Sequence, residues 1–179
     1  ILTKTNMKSI TTIKSLIEEF ENATKANQAK VIKRIQLDKE DVISYATWSD
    51  TDYTRNCLAR TDEFEFILLC WDEEARTPIH GHGGQDCWVY QVEGTVEELR
   101  FEENDAGELV KTQSLKLEPG QISYMNDEMG YHLIKNARKQ KAMTLHIYAK
   151  PIDACKVFDA KKEAFKIAEM EYDSVVKSV

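Results

Sequence analysis

Two of the four histidines in this chain lie one residue apart, in the segment PIHGH at positions 78–82. In an extended segment, side chains two positions apart point to the same side, so the imidazoles of His80 and His82 can reach one point. Neutral imidazole is a common ligand of metal ions. The spacing alone leaves two interpretations open, because HxH is short: a metal site, or two loop histidines beside a glycine.

His132 strengthens the metal interpretation. It lies in GYHLIKN (130–136), directly after PGQISYMND (119–127). Together with the first segment, which closes at Gly94, these stretches resemble the two sequence motifs of the cupins. The resemblance implies a small double-sheet β-barrel in which three imidazoles, those of His80, His82 and His132, converge on one metal ion.

The first motif lacks the carboxylate ligand that most cupins carry. Asp86 and Cys87 stand four and five residues after His82, where that glutamate is expected. If Cys87 points inward, the charge of the metal is not neutralised by a protein ligand. A charge pair at contact distance is worth about 4 kcal/mol at an effective dielectric near 20. Such a site favours an anionic, soft ligand from the substrate, such as a thiolate.

Further stretches make the resemblance more specific. The chain resembles the cysteine dioxygenases, the thiol-oxidising branch of the cupins. The matching stretches span more than half of the chain and include all four histidines; they are YTRN (53–56), ILLCW (67–71), PIHGH (78–82), Cys87, GYHLIKN (130–136), LHIY (145–148) and DAC (153–155).

The resemblance implies a metal site and a substrate. Fe(II) is the implied cofactor, with His80, His82 and His132 as its ligands. The implied substrates are L-cysteine, bound to the iron through its thiolate and amine, and O2. Arg55 would pair with the substrate carboxylate, because a guanidinium fork suits two oxygens, and Tyr53 would lie nearby.

The resemblance also implies catalytic roles. Tyr148 would donate a hydrogen bond near the substrate and the oxygen, and His146 would orient Tyr148. Cys87 occupies the position that becomes joined to this tyrosine by a thioether in family members that carry the cysteine. Both oxygen atoms would be added to sulfur, giving cysteine sulfinate. Cys155 falls where the family has a cysteine near the site entrance.

Each of these residues also has a purely structural interpretation. Arg55 could be a surface charge, Tyr148 a core aromatic residue, and His146 and Cys87 buried core residues. However, Thr144, His146 and Tyr148 share one strand face by the period-two rule. This joint match favours the functional interpretation, with the Thr144 hydroxyl in place of the usual serine.

Composition excludes several other classes. The chain has 179 residues, 42% hydrophobic and 31% charged, which indicates one globular domain. A net charge of −7 argues against nucleic acid or an anionic membrane surface as a partner. No apolar run of membrane-spanning length and no secretory leader are visible, and the four cysteines form no CxxC pair. We therefore expect a cytoplasmic monomer with free thiols.

The elements that must position these residues fall into two parts. Helical spacing of apolar residues predicts N-terminal helices over about 8–48: one with Ser9 as a candidate N-cap, one over 27–37, and a short one after Asp38 that continues through 48. From about 62 to 179, β-rich runs alternate with turn signals, although 165–172 fits either a helix or a strand. We predict a single, mainly β (α+β) domain over 1–179: a cupin-type double-sheet β-barrel (jelly roll) preceded by helices.

Three other functions stay open. The first is a dioxygenase of another small thiol, such as 3-mercaptopropionate, but that relative has glutamine where Arg55 stands. The second is a non-catalytic metal-binding cupin sensor, which has no need of Arg55 and Tyr148. The third is a zinc hydrolase, which three histidines also suit, although no general base is evident beside them.

Overall fold

The computed structural model describes residues 8–176. Three short helices come first: α1 (Ile13–Glu21), α2 (Lys25–Ile32) and α3 (Lys39–Ile43). Within the described residues they are followed by eleven strands: β1 (Tyr53–Arg60), β2 (Glu65–Trp71), β3 (Cys87–Glu93), β4 (Val96–Glu103), β5 (Leu109–Leu117), β6 (Ile122–Met125), β7 (Tyr131–Asn136), β8 (Ala142–Tyr148), β9 (Ala154–Asp159), β10 (Ala164–Glu169) and β11 (Ser174–Val175).

The first helix begins later than Ser9. Ile10 pairs with Ile35 in a parallel β-bridge, which keeps the chain extended up to Thr12. The hydroxyl of Thr12 then caps the helix by accepting a hydrogen bond from the backbone N–H of Ser15 at 3.2 Å. The predicted cap at Ser9 is therefore wrong, because tertiary pairing takes the residues that follow it out of the helix.

The second and third helices are shorter than predicted. α2 ends at Ile32, and the next residues turn so that Gln36 donates a hydrogen bond to the carbonyl of Ile10 at 2.9 Å. Asp38 does occupy the N-cap position of α3, but this helix ends at Ile43. No helix within residues 8–176 has the length and apolarity needed to span a bilayer.

The strands form two sheets. One has six strands in the order β11-β1-β2-β8-β3-β6, antiparallel except for the β11–β1 pair. The other combines β5-β4-β7 with β9-β10, because His80 bridges to His132 on β7 and to Val157 on β9. Side chains from both sheets share one buried cluster, so the two sheets enclose a common interior. The predicted double-sheet β-barrel is confirmed.

The helices cover the outer face of the six-stranded sheet. Along β2, Phe66 and Leu68 pack towards the helices, whereas Ile67 and Leu69 point into the barrel. Every residue of β2 and β8 is therefore buried, which explains their nearly continuous apolar sequences. Phe20 of α1 is 1% exposed and anchors the helical layer on this face.

The strand prediction missed the first strand of the barrel. β1 begins at residue 53, before the predicted boundary near 62, because its sequence YTRNCLAR has little of the β-branched and aromatic composition of a buried strand. β9 was also missed. The ambiguous tail contains β10, a strand that pairs with β9 in antiparallel register.

Candidate metal centre and substrate cavity

The two histidine segments are joined by their backbones. His80 and His132 exchange two hydrogen bonds, from N–H of His80 to O of His132 at 2.8 Å and from N–H of His132 to O of His80 at 3.0 Å. Gly130 permits the turn into β7: its φ is +88°, and a Cβ there would clash with the carbonyl oxygen of Phe101. Along β7 every second residue is buried, and His132 and Ile134 are two of these buried residues.

The three imidazoles converge as predicted. Their ligand nitrogens all lie within 4.8 Å of one another. The Nε2 atoms of His82 and His132 are 3.1 Å apart. Metal–nitrogen bonds of about 2.1 Å place neighbouring ligand nitrogens roughly 3 Å apart, so this arrangement fits one metal ion bound by His80, His82 and His132.

The histidines are also electrostatically suited to bind a cation. Burial, and then the proximity of the His132 imidazole, lower the pKa of His80 to about 3, and the same causes lower the pKa of His82. Both imidazoles are therefore neutral at neutral pH. The Nδ1 atom of His80 lies 2.9 Å from the carbonyl oxygen of Pro78, which favours the proton on Nδ1 and leaves Nε2 for the metal.

Glu98 is a site residue that sequence reasoning missed. It is fully buried on β4, and its Oε1 lies 3.1 Å from Nδ1 of His132 and 2.9 Å from Nε of Arg100. The hydroxyl of Ser123 donates to its other oxygen. Burial opposes ionisation, but these contacts outweigh it and lower the pKa of Glu98 to about 2. A buried carboxylate anion thus contacts one of the three converging histidines.

Cys87 and Tyr148 face the same interior. They are directly opposite each other on β3 and β8, and both are buried. Burial raises the pKa of the Cys87 thiol, and burial followed by the neighbouring Cys87 raises the pKa of Tyr148 well above its usual value. Both groups are therefore neutral. The ring centroids of Tyr148 and His82 are 6.5 Å apart.

His146 lies beside Tyr148, with ring centroids 6.5 Å apart. Its Nε2 is 2.9 Å from Oγ1 of Thr144, and the indole N–H of Trp71 donates to the same oxygen at 2.8 Å. Among residues 8–176, His146 makes this hydrogen bond and none to Tyr148 directly. The orientation of Tyr148 by His146 therefore stays a prediction.

Arg55 and Tyr53 line a small cavity next to His80, one of the three converging histidines. The cavity measures about 40 Å³ and is lined by Tyr53, Arg55, Thr77, Pro78, His80, Cys155, Val157 and Met170. The buried Nε of Arg55 has no hydrogen-bond partner within the described residues. Its Nη1 lies 3.5 Å from the sulfur of Met170. The cavity thus joins an available cationic donor to His80.

Met170 is a second lining residue that sequence reasoning missed. It enters the cavity because its N–H donates to the carbonyl of Asp153 at 2.8 Å, which fixes the C-terminal segment against the barrel. Its sulfur is 3.8 Å from that of Cys155. Nothing in the local sequence around Met170 indicates this contact.

A double-sheet barrel with three inward imidazoles defines the protein as a cupin with a metal-binding site. Two solved structures share the fold. The TT1209 protein of Thermus thermophilus has a TM-score of 0.51 and 20% identity, over 62% of this chain and 94% of that one. A Klebsiella pneumoniae protein with a double-stranded β-helix domain has a TM-score of 0.50 and 16% identity, over 72% and 89%.

The chain belongs to the cysteine dioxygenase type I family, whose family model matches residues 2–161. It is similar to human cysteine dioxygenase type 1, with 30% identity over 135 residues that cover 73% of this chain and 68% of the human protein. The zebrafish (Danio rerio) protein of the same name is 26% identical over 162 residues, covering 87% and 76%. The resemblance inferred from the sequence is confirmed, and with the three-histidine cluster it supports a thiol dioxygenase.

Proposed function

We propose that this protein oxidises L-cysteine to cysteine sulfinate by adding both atoms of O2 to the substrate sulfur. The observation that carries the proposal is the cavity in which the guanidinium of Arg55 and the imidazole of His80 share one space. Family membership supports the same reaction. Fe(II) bound by His80, His82 and His132 would supply the redox chemistry that lets dioxygen react with a thiolate.

Charge complementarity supports an anionic thiol as substrate. The three histidine side chains bring no negative charge, and Arg55 adds a positive one. A substrate thiolate at the metal and a substrate carboxylate at Arg55 would offset two of the three positive charges of Fe(II) and Arg55. The unpartnered Nε of Arg55 favours the second contact, because a buried donor without an acceptor is costly until a ligand supplies one.

Tyr148 would keep a proton beside the reacting atoms. Burial keeps its phenol protonated, so its hydroxyl is available as a donor. Cys87 lies opposite Tyr148. His146 lies two residues before Tyr148 on β8, so their side chains point to the same face of the strand. In this proposal His146 and Cys87 restrict the position of Tyr148, and Tyr53 borders the substrate carboxylate beside Arg55.

The proposal is tested with purified protein that is loaded anaerobically with Fe(II) and then given L-cysteine and air. We expect oxygen uptake matched by sulfinate formation, measured by mass spectrometry. Zn(II)-loaded protein is the matched control and should consume no oxygen. Absence of sulfinate from folded, iron-loaded protein would contradict the proposal. Faster turnover of 3-mercaptopropionate than of L-cysteine would instead assign the reaction to that thiol.

The free thiols support a proposal about the cellular setting. Cys57, Cys70, Cys87 and Cys155 are all free in the structure. We infer a reducing, cytoplasmic compartment, since free buried thiols suit one. The proposed metal ligands and substrate-binding residues all come from one chain, so the proposal takes the active unit to be an Fe(II)-binding monomer whose substrates are L-cysteine and O2.

A further inference from the structure

We propose that Glu98 is a positioning residue of the metal site, whose carboxylate fixes the orientation of His132 and strengthens that imidazole as a metal ligand. This inference rests on the proposed binding of a metal by His80, His82 and His132. It does not depend on which thiol is oxidised.

The contacts of Glu98 fix the tautomer of His132. Oε1 of Glu98 lies 3.1 Å from Nδ1 of His132. A carboxylate anion can only accept a hydrogen bond, so the contact between these two atoms requires a proton on Nδ1 of His132. The lone pair of His132 is then on Nε2, which is the atom 3.1 Å from Nε2 of His82. Glu98 thereby directs a nitrogen lone pair towards the metal position.

The carboxylate is itself held in place. Arg100 donates to Oε1 at 2.9 Å, and Ser123 donates to the other oxygen. Arg100 also donates from Nη2 to Ser123 and to the carbonyl of Tyr124, both at 2.9 Å. The guanidinium and the hydroxyl therefore fix Glu98 in one orientation, and Glu98 in turn fixes the imidazole of His132.

The position explains how the site can do without a carboxylate ligand. The residue in the ligand position of the first motif is Cys87, whose buried thiol is neutral. The carboxylate of Glu98 lies one imidazole away from the metal position and also pairs with Arg100. A carboxylate that accepts from a metal-bound imidazole strengthens that ligand as a donor. Coordination positions that a carboxylate ligand would occupy stay available to the substrate.

Glu97 provides a matched control. It precedes Glu98 on β4 and points to the opposite face, where it pairs with Lys135 at 2.9 Å and accepts from Ser114 at 2.7 Å. A change of Glu97 to Gln removes the same charge from the same strand without touching His132. Differences between the two variants therefore report the contact with His132 rather than the total charge.

The test is metal affinity, measured by competition between each variant and a chromophoric chelator for Co(II). We expect Glu98→Gln to weaken Co(II) binding by about 10- to 100-fold, as for other residues that contact a metal ligand. Glu97→Gln should bind Co(II) like the wild type. Combining Glu98→Gln with His132→Ala should cost no more affinity than His132→Ala alone. An affinity within twofold of wild type in a natively folded Glu98→Gln protein would overturn the proposal.

A second measurement needs no variant of Glu98. In wild-type protein with ¹⁵N-labelled histidine and Zn(II), the proposal requires the proton of His132 on Nδ1 and the metal on Nε2. His132 is assigned from the resonances that His132→Ala loses. A proton on Nε2 would overturn the proposal. Because neither readout uses dioxygenase activity, the proposal can fail or hold independently of the proposed reaction.

Discussion

Cys87 on β3 and Tyr148 on β8 form a directly opposed pair across two antiparallel strands, with both side chains buried. Opposed residues on one face have Cβ atoms about 4.5–5.5 Å apart, which is close enough for a side-chain bond to form without movement of the backbone. The sequence placed Cys87 five residues after His82, and the register of β3 against β8 places it opposite Tyr148.

This pairing predicts a partial thioether between Cys87 and Tyr148 that accumulates with turnover. The sulfur would bond to the ring carbon ortho to the hydroxyl, and the S–H and C–H bonds would break. One dioxygen would take up the two protons and two electrons and become hydrogen peroxide, in redox chemistry that bound Fe(II) would supply. The bond would restrict the phenol to one rotamer and so assist catalysis without being required. Peptide mass mapping after turnover should find the two peptides joined and two hydrogens lighter than their sum.

Cys87→Ser is the control for the thioether. It should run as one band on a denaturing gel, where the wild type gives two, and should retain reduced but measurable activity. Wild-type protein that stays a single unlinked species after prolonged turnover with iron, cysteine and oxygen would show that Cys87 is an ordinary buried thiol.

Variants of the three converging histidines should differ from a variant of His146 in iron content. Changing His80, His82 or His132 singly to alanine should abolish iron retention, because each contributes a nitrogen to one cluster. His146→Ala should retain iron, because Nε2 of His146 contacts Thr144 rather than the cluster. It should lose most activity, because its ring lies beside that of Tyr148. Iron content by mass spectrometry, paired with oxygen uptake, distinguishes the two classes. Full iron content in any of the first three variants would remove that residue from the ligand set.

Arg55 should set the preference for a carboxylate. Arg55→Gln should weaken the binding of L-cysteine by about 2 kcal/mol, or roughly 30-fold in apparent affinity, because a charged hydrogen-bonded pair is lost. Cysteamine, which has no carboxylate, should be affected far less. Arg138→Gln is the matched control, since Arg138 is exposed and pairs with Glu118. Equal losses for both thiols would contradict the assignment of Arg55.

The sequence predicted those strands and site residues whose identity depends on a local residue pattern. β2 and β8 were recognisable because both of their faces are buried, and the metal site because HxH and a later histidine follow family spacing. β1 was not recognisable, since its burial depends on the neighbouring strands β2 and β11 rather than on apolar composition.

Glu98 shows why part of the site could not be predicted. Glu97 and Glu98 are adjacent and chemically identical, and which one points inward depends on the register of β4 against β7, where Arg100 lies opposite His132. That register is a non-local property of the sheet. The same holds for Met170, whose position is set by its backbone contact with Asp153.

The helical layer should stabilise the barrel without shaping the metal site. Phe20 makes edge-to-face contacts with Phe64, Phe66 and Trp88 at centroid distances of 5.8, 5.3 and 6.2 Å. Phe20→Ala should lower the free energy of unfolding by about 3–5 kcal/mol in denaturant titrations. Ile43→Ala, at a residue that is 41% exposed, should change it by less than about 0.5 kcal/mol. Reduced Co(II) affinity in folded Phe20→Ala protein would show that the helical layer does influence the metal site, which would contradict this prediction.

Thr144 should control the hydrogen bonding of His146. Trp71 donates to Oγ1 of Thr144, so the hydroxyl proton of Thr144 is free to be donated to Nε2 of His146. That direction would leave the imidazole proton on Nδ1. Thr144→Val keeps the side-chain shape but leaves two buried nitrogen groups without partners, at a cost of about 1–3 kcal/mol each.

We therefore expect Thr144→Val to lower kcat by about 10- to 100-fold while iron content stays at the wild-type level. Thr144→Ser should restore most of the activity, because serine supplies the same hydroxyl. Changes in kcat, rather than in the apparent affinity for L-cysteine, would place the defect beside Tyr148 and away from Arg55. A Thr144→Val protein with wild-type kcat would show that the Trp71–Thr144–His146 chain serves packing alone.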